Sequence, residues 1–191
     1  MRQENREKYG MHIKKALSLY GLHNPGEKTL VEKFFSLLES APRCFYKDFY
    51  KGHFTGSALV SDATLSKVAM IHHKKLGKWV QMGGHADGNP DLLAVALKEV
   101  REESGLRSFT RVYENIFDLD IHHIPETEYE PEHYHYDVRY LFLSRGEGVI
   151  TNSEESYEAR WIPLDVIDRY TREESVSKML DKLVTFTNKG G

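Results

Sequence analysis

The segment GGHADGNPDLLAVALKEVREESGL, Gly83 to Leu106, sets Glu99, Glu102 and Glu103 within five residues of one another. Residues three and four apart on a helix are surface neighbours, and like charges there repel. A cluster of this kind therefore costs stability unless a cation neutralises it. Three carboxylates offer oxygen donors alone, which suit a hard divalent ion, Mg2+ or Mn2+, that keeps coordination positions for water and phosphate oxygens. The chemistry such an ion serves is phosphoryl or pyrophosphoryl transfer. The competing reading is a solvated acidic helix face.

The neighbouring residues argue for a built site. Asn89 is a suitable N-cap, Pro90 fits the first turn and Asp91 faces the positive end of the helix dipole, so the helix is expected to begin near Pro90. Leu93, Ala96, Leu97 and Val100 recur at helical spacing and are expected to face a core. At about 100° per residue the three glutamates fall within an arc of about 100°, offset from that stripe. Gly105 then lets the chain turn out of the helix.

A second group of candidates lies in HYHYD, where His133, His135 and Asp137 alternate and so share one face of a strand. Arg139 continues the alternation, and His85 directly follows the Gly-Gly pair. These residues are candidate contacts to a substrate phosphate, or, for the histidines, an additional metal site formed with His85. Solvent-facing histidines at a strand end are the alternative, as is an ordinary surface ion pair for Arg139. The pairs His72-His73 and His122-His123 point oppositely on a strand and read as structural or exposed. Trp79 and Tyr136 offer faces for stacking on a base, although aromatics in strands usually belong to a core.

The elements that must hold these residues follow from periodicity. Up to about residue 50 the pattern is helical: Ile13, Ala16, Leu17 and Tyr20 share a face that Gly21 is expected to end. Asn24-Pro25 is expected to open a second helix carrying Leu30, Phe34, Leu37, Leu38 and Ala41, with Pro42 ending it. From Gly52 the period changes: GSALVSD, SKVAMIHH, KWVQM, FTRVYENIFDLDIHHI, YHYDVRYLFLS and YEARWIPL read as strands. IPETEYEPEHYHY reads as a loop over a site. Thr171-Arg172-Glu173-Glu174 is a capping-box signature for a closing helix with Val176, Met179, Leu180, Leu183 and Val184 on one face. The organisation predicted is α+β, with residues 1–50 as a helical segment packed on a domain of residues 51–191.

With 191 residues, 40% hydrophobic and 29% charged, the chain suits one globular domain of ordinary composition. A net charge of −3 does not advertise a nucleic-acid polymer as partner. The single Cys44 forms no internal disulfide, and no stretch reads as a signal peptide or a membrane span, so a cytoplasmic protein is expected.

Gly84 to Leu106 resembles the Nudix box, Gly-x5-Glu-x7-Arg-Glu-U-x-Glu-Glu-x-Gly-U with U aliphatic, laid over the sequence without a gap. Gly84, Glu99, Val100, Glu102, Glu103, Gly105 and Leu106 match in type and spacing. The preceding KWVQMGG and the later ARWIPL are similar to the strands around that box. Pro90 stands where the family usually has its first Glu, and Lys98 where it usually has Arg. These two brace the loop against the helix in the family, and Asp87 or Asp91 is the expected substitute partner of Lys98. An ammonium does not reproduce the bidentate contact of a guanidinium.

The resemblance implies a Nudix-like mixed β-sheet sandwiched between helices, with an N-terminal helical extension. It also implies metal-dependent hydrolysis of a diphosphate linkage in a small-molecule nucleoside diphosphate derivative. The implied metal ligands are Glu99, Glu102 and Glu103, with the main-chain carbonyl of Gly84, and Mg2+, or Mn2+, is the implied ion. Glu103 or Glu102 is the candidate general base, a role a later loop can also fill. The candidate substrate contacts are His85, Lys98, His133, His135, Asp137 and Arg139. A homodimer is the commonest assembly among soluble oligomers. Two alternatives remain open: a nucleotide or sugar-nucleotide sensor without turnover, and an enzyme like the isopentenyl-diphosphate isomerases, which share the fold and use a histidine-bound metal with a cysteine. The leaving group is set by loops rather than by the box.

Overall fold

The computed structural model describes residues 3–41, 43–47, 52–128, 130–145 and 149–188. Helix α1 (Gln3–His23) buries Ile13, Leu17 and Tyr20, the face their spacing implies. It runs through Gly21, because a glycine stops a helix where the chain takes a left-handed turn and Gly21 takes none. Asn24 and Pro25 open a short 3-10 turn (Pro25–Glu27), which leads into α2 (Lys28–Ser40) with Val31, Phe34 and Leu37 buried. Pro42, expected to end this helix, lies outside the described residues.

The strands among the described residues are β1 (His53–Ser61), β2 (Lys67–His73), β3 (Lys78–Val80), β4 (Met82–His85), β5 (Phe109–Arg111), β6 (Asp118–Ile124), β7 (His133–Ser144) and β8 (Ser156–Pro163). They form one mixed sheet with β1 as its spine, every residue of which is buried. β7 runs parallel to β1 along its full length. On the other edge of β1, β4 pairs with residues 55–58 and β2 with residues 60–61, both antiparallel. β2 carries β3 and β8, and β7 carries β5 and β6. The stretch read as one strand from Phe109 to Ile124 is thus two strands, and the expected loop over 124–136 shrinks to the connection between Ile124 and His133.

Alternation assigns the faces. Phe54, Ala58 and Val60 of β1, with Val138, Tyr140 and Phe142 of β7, pack with α1, α2 and α3 (Leu92–Ser104). Leu59, Leu141, Val68 and Met70 pack on the opposite face with Val176, Met179, Leu180 and Leu183 of α4 (Glu174–Asn188). The result is a sheet between helical layers.

Polar contacts tie the N-terminal helices to this frame. Lys182 of α4 lies 2.8 Å from Glu27 and 2.6 Å from the fully buried Asp118 of β6, and also contacts the Tyr20 hydroxyl. Lys178 reaches the same two carboxylates at 3.6 Å each.

Candidate active site

The acidic helix starts later than expected. Asp91, not Asn89, is its cap: the Asp91 carboxylate accepts the Ala94 N–H at 3.0 Å, while the Asn89 side chain accepts the Asp91 N–H in the preceding turn. The buried residues are Leu92, Val95, Ala96, Val100, Glu103 and Ser104, so the stripe is rotated from the predicted one and Leu93 and Leu97 are half-buried. That rotation matters for chemistry. The inward row continues past Val100 into Glu103, with Glu99 beside it, which puts two of the three glutamates against β4 instead of in solvent.

Glu103 is 5% exposed and its carboxylate accepts the Gly83 N–H at 2.9 Å. Burial pushes its pKa up to about 8 despite that hydrogen bond, and the like charges of Glu99 and Glu155 add to the rise. Burial raises the Glu99 carboxyl as well, against the pull of Lys98. Glu99 lies directly over Gly84: a Cβ built there would stand 2.7 Å from its carboxyl carbon. Lys98 pairs with Glu99 at 3.1 Å and Glu102 at 2.7 Å, and not with Asp87 or Asp91 as the sequence suggested, because helix geometry brings Glu102 one turn on to the same side. Glu102 is the outward member, with its side chain 57% exposed. The hydrogen bond to Glu102 holds the Lys98 ammonium more firmly protonated than usual.

The arrangement offers oxygen donors from Glu99, Glu102 and Glu103 beside the Gly83-Gly84 backbone, with a fourth carboxylate, Glu155, near enough to raise two of them. Lys98 pairs with the inward Glu99 and the outward Glu102, whereas Glu103 sits buried and is held by the Gly83 N–H. Oxygen donors of this kind suit a hard divalent ion, although among the described residues only His53, His85 and His135 bring three ligand atoms within 4.8 Å of one another, so the glutamates would have to draw together around it. Gly84→Ala tests the close approach. The new methyl meets the far end of a flexible side chain, so the melting temperature is expected to stay within about 3 °C of the parent. Turnover is expected to fall roughly 10- to 100-fold as Glu99 is displaced. Unchanged turnover would remove Glu99 from the site.

A glutamate-bearing helix braced on a Gly-Gly strand, inside a mixed sheet between helices, agrees with one family description: the NUDIX domain model matches residues 56–183. The chain belongs to the NUDIX family. Among solved structures, an Ap4A hydrolase of C. elegans in a binary complex is similar over 71% of this chain and 98% of its own, at 14% identity and a TM-score of 0.58. A NUDIX-family hydrolase from Clostridium perfringens covers 70% and 97% at 21% identity and a TM-score of 0.52. The NUDIX domain of Shewanella oneidensis NrtR, complexed with ADP ribose, covers 74% and 92% at 14% identity and a TM-score of 0.52. These identities make the likeness one of fold. No curated protein matches the sequence.

Within this NUDIX domain the remaining candidates part company with the glutamates. Register partners share a face, so Gly84, opposite Gly56, faces α3, whereas His85, opposite Thr55, faces the other way. His85 there meets His135, which in turn meets His133, on the face away from the carboxylates. Burial lowers the His85 pKa and pushes that of His135 down to about 2, with the neighbouring imidazoles adding to the second shift.

Asp137 and Arg139 lie deeper on the same face and require correction. Arg139 is 0% exposed and its guanidinium is taken up by Asp118 at 3.0 Å, Asp120 at 3.1 Å, Asp137 at 2.9 Å and the Ser175 carbonyl at 2.7 Å. Asp137 also accepts the hydroxyls of Thr55 and Ser57. With its donors spent inside the protein, Arg139 is an internal tie between β6, β7 and α4 instead of a phosphate contact. Trp79 is stacked on His72, and Tyr136 packs edge-on against Phe34.

Two residues escaped the sequence reading. His53 opens β1 beside His135, and its signal was the polar alternation His53, Thr55, Ser57 in an otherwise apolar strand. Glu155 carries no local signal, because only the β2–β8 pairing brings its loop to the helix.

Proposed function

We propose that the chain hydrolyses a diphosphate linkage in a nucleoside diphosphate derivative at a site formed by Glu99, Glu102, Glu103 and the Gly84 carbonyl. The observation that carries this reading is the pair of inward carboxylates, Glu99 and Glu103, seated on the Gly83-Gly84 strand in the register of the box. Mg2+, or Mn2+, held by these oxygens would supply neutralisation of the phosphate charge and acidification of the attacking water. The protein's part is positional and protonic. Gly83 orients the Glu103 carboxylate by its N–H, and Glu103, whose pKa burial raises to about 8, would be drawn by a bound cation to the ionised form that can accept a proton from water. Lys98 pairs with Glu99 and Glu102 and stands ready for an outer phosphate oxygen.

The substrate in this reading is a small molecule, since the net charge of −3 does not favour a polyanion. No helix among the described residues is long and apolar enough to cross a membrane, and we place the enzyme in the cytoplasm, alone or as a homodimer. Cys44, which an isomerase-like mechanism would need at the site, is 2% exposed within the core shared by α1, α2 and the sheet. A panel of nucleotide sugars, ADP-ribose, dinucleoside polyphosphates, oxidised nucleoside triphosphates and coenzyme A, incubated with Mg2+, Mn2+ or chelator, tests the proposal. At least one compound is expected to be cleaved with metal and spared with chelator. Tight nucleotide binding without product under every condition would make the chain a sensor.

A further inference from the structure

We infer that His53, His85 and His135, with His133 beside them as a fourth donor to be drawn in, form a second metal centre, an all-imidazole site for a borderline transition-metal ion, with Zn2+ the best match. The four come from three strands that meet only in the folded sheet: His53 from β1, His85 from the end of β4, and His133 and His135 from β7. Their rings crowd together. The His53 ring centroid lies 4.8 Å from that of His135, 5.0 Å from that of His85 and 5.1 Å from that of His133. Ligand atoms of His53, His85 and His135 all fall within 4.8 Å of one another.

The nitrogen spacing decides between a packed cluster and a coordination site. His135 Nε2 lies 3.3 Å from His85 Nε2 and 3.3 Å from His133 Nε2. Two nitrogens bound tetrahedrally to one ion at a Zn–N distance of about 2.0–2.1 Å stand about 3.3–3.4 Å apart, which is the spacing of these two contacts, while His133 lies outside the set whose ligand atoms are all mutually within 4.8 Å. Neutral imidazoles do not account for these contacts as well. His133 Nδ1 is 2.9 Å from the Pro131 carbonyl, and since a carbonyl only accepts, Nδ1 carries the proton and Nε2 presents a lone pair. If His135 Nε2 also presents a lone pair, two lone pairs face each other. If it carries a proton, that one proton is divided between two acceptors, both beyond the usual range for such a bond. A cation between them would take one lone pair from each imidazole.

The outer contacts agree. A metal-bound imidazole typically donates its second N–H to a carbonyl or carboxylate, which fixes its tautomer, and His133 does this to Pro131. Imidazole donors suit Zn2+, Cu2+, Fe2+ or Ni2+, whereas the carboxylates across the sheet suit Mg2+. The two sites therefore differ in the ions they hold as well as in the face they occupy. Three histidines with His133 drawn in as the fourth would leave no open position, which is the pattern of a structural ion. It would pin the end of β4 to β1 and β7, and so fix the Gly83-Gly84 backbone on which Glu99 and Glu103 rest.

The inference stands apart from the hydrolase reading, and its test does not use activity. Purified protein stripped with chelator is titrated with Zn2+, followed by heat release and melting temperature, and separately with Co2+, whose visible absorption reports tetrahedral geometry. Expected are one Zn2+ per chain, a raised melting temperature, and a tetrahedral Co2+ spectrum. His85→Ala and His135→Ala should each weaken Zn2+ binding by about a hundredfold or more, since even outer contacts to a metal ligand are worth 10- to 100-fold. Glu103→Gln should bind Zn2+ as the parent does. Should His135→Ala fail to fold, the half-buried His85 variant and the parent's Co2+ spectrum decide the matter. No stoichiometric uptake by the parent, uptake that survives His85→Ala, or uptake lost in Glu103→Gln would each overturn the assignment.

Discussion

Glu103→Gln is expected to lower metal-dependent hydrolysis by a factor of about a hundred or more and, in chelator at pH 9, to unfold at higher urea than the parent. The two effects share one cause. The Glu103 carboxyl is buried, and its folded-state pKa of about 8 lies above its ordinary value of 4.5. Below the ordinary value the group is protonated in both states and makes no difference. As pH rises from about 4.5 to 8, the unfolded chain gives up the proton while the folded protein retains it, so stability falls with pH and levels off above about 8. Glutamine has no such proton to lose. The variant should match the parent near pH 4.5 and exceed it by about 3–5 kcal/mol at pH 9. Urea titrations of both proteins at the two pH values measure this. Parallel pH profiles would mean that Glu103 is not buried as a charge, and the base assigned to the site would fall with it. Saturating Mg2+ at pH 9 should raise the stability of the parent and narrow the gap.

Arg139→Met should have the largest effect on the fold. Removing the guanidinium leaves Asp118, Asp120 and Asp137 close together in the interior, with Asp118 and Asp137 at most 4% exposed in their side chains. Breaking a buried ion pair by deleting one partner typically costs about 3–5 kcal/mol, because the remaining charge has lost both water and counterion. Three carboxylates place this case at the upper end. Asp120 illustrates the dependence: burial alone would raise its carboxyl, yet the His122 hydrogen bond, the Arg139 charge and Ser175 hold it well below the ordinary carboxylate range. The expected result is a protein recovered largely insoluble, or melting far below the parent, with Arg139→Lys intermediate because an ammonium lacks the planar fork. A variant that melts like the parent and loses only substrate affinity would return Arg139 to the role of phosphate contact.

Much of the acidic site could be read locally. Glu99, Glu102, Glu103 and Gly105 lie in one contiguous segment, and a helix converts spacing into direction without outside help. The sheet, too, follows from runs of apolar residues whose period is two. What local pattern left open was phase. Leu93 and Leu97 have the same spacing as Leu92, Val95 and Ala96, and only docking of α3 onto Gly56 of β1, where a Cβ would stand 2.6 Å from the Leu92 carbonyl, selected the second set and turned Glu103 inward.

The amino-acid sequence by itself determined most of the elements and the cluster of glutamates proposed to hold the metal, because those depend on neighbours along the chain. Tertiary structure alone decided that His53 joins His85, His133 and His135, that Arg139 is sealed among three aspartates, and that Glu155 approaches the glutamates. Each of these rests on strand register between distant segments, as in the His53–His135 and Thr55–His85 pairs. A slip of one residue in such a pairing would send the side chain to the other face of the sheet.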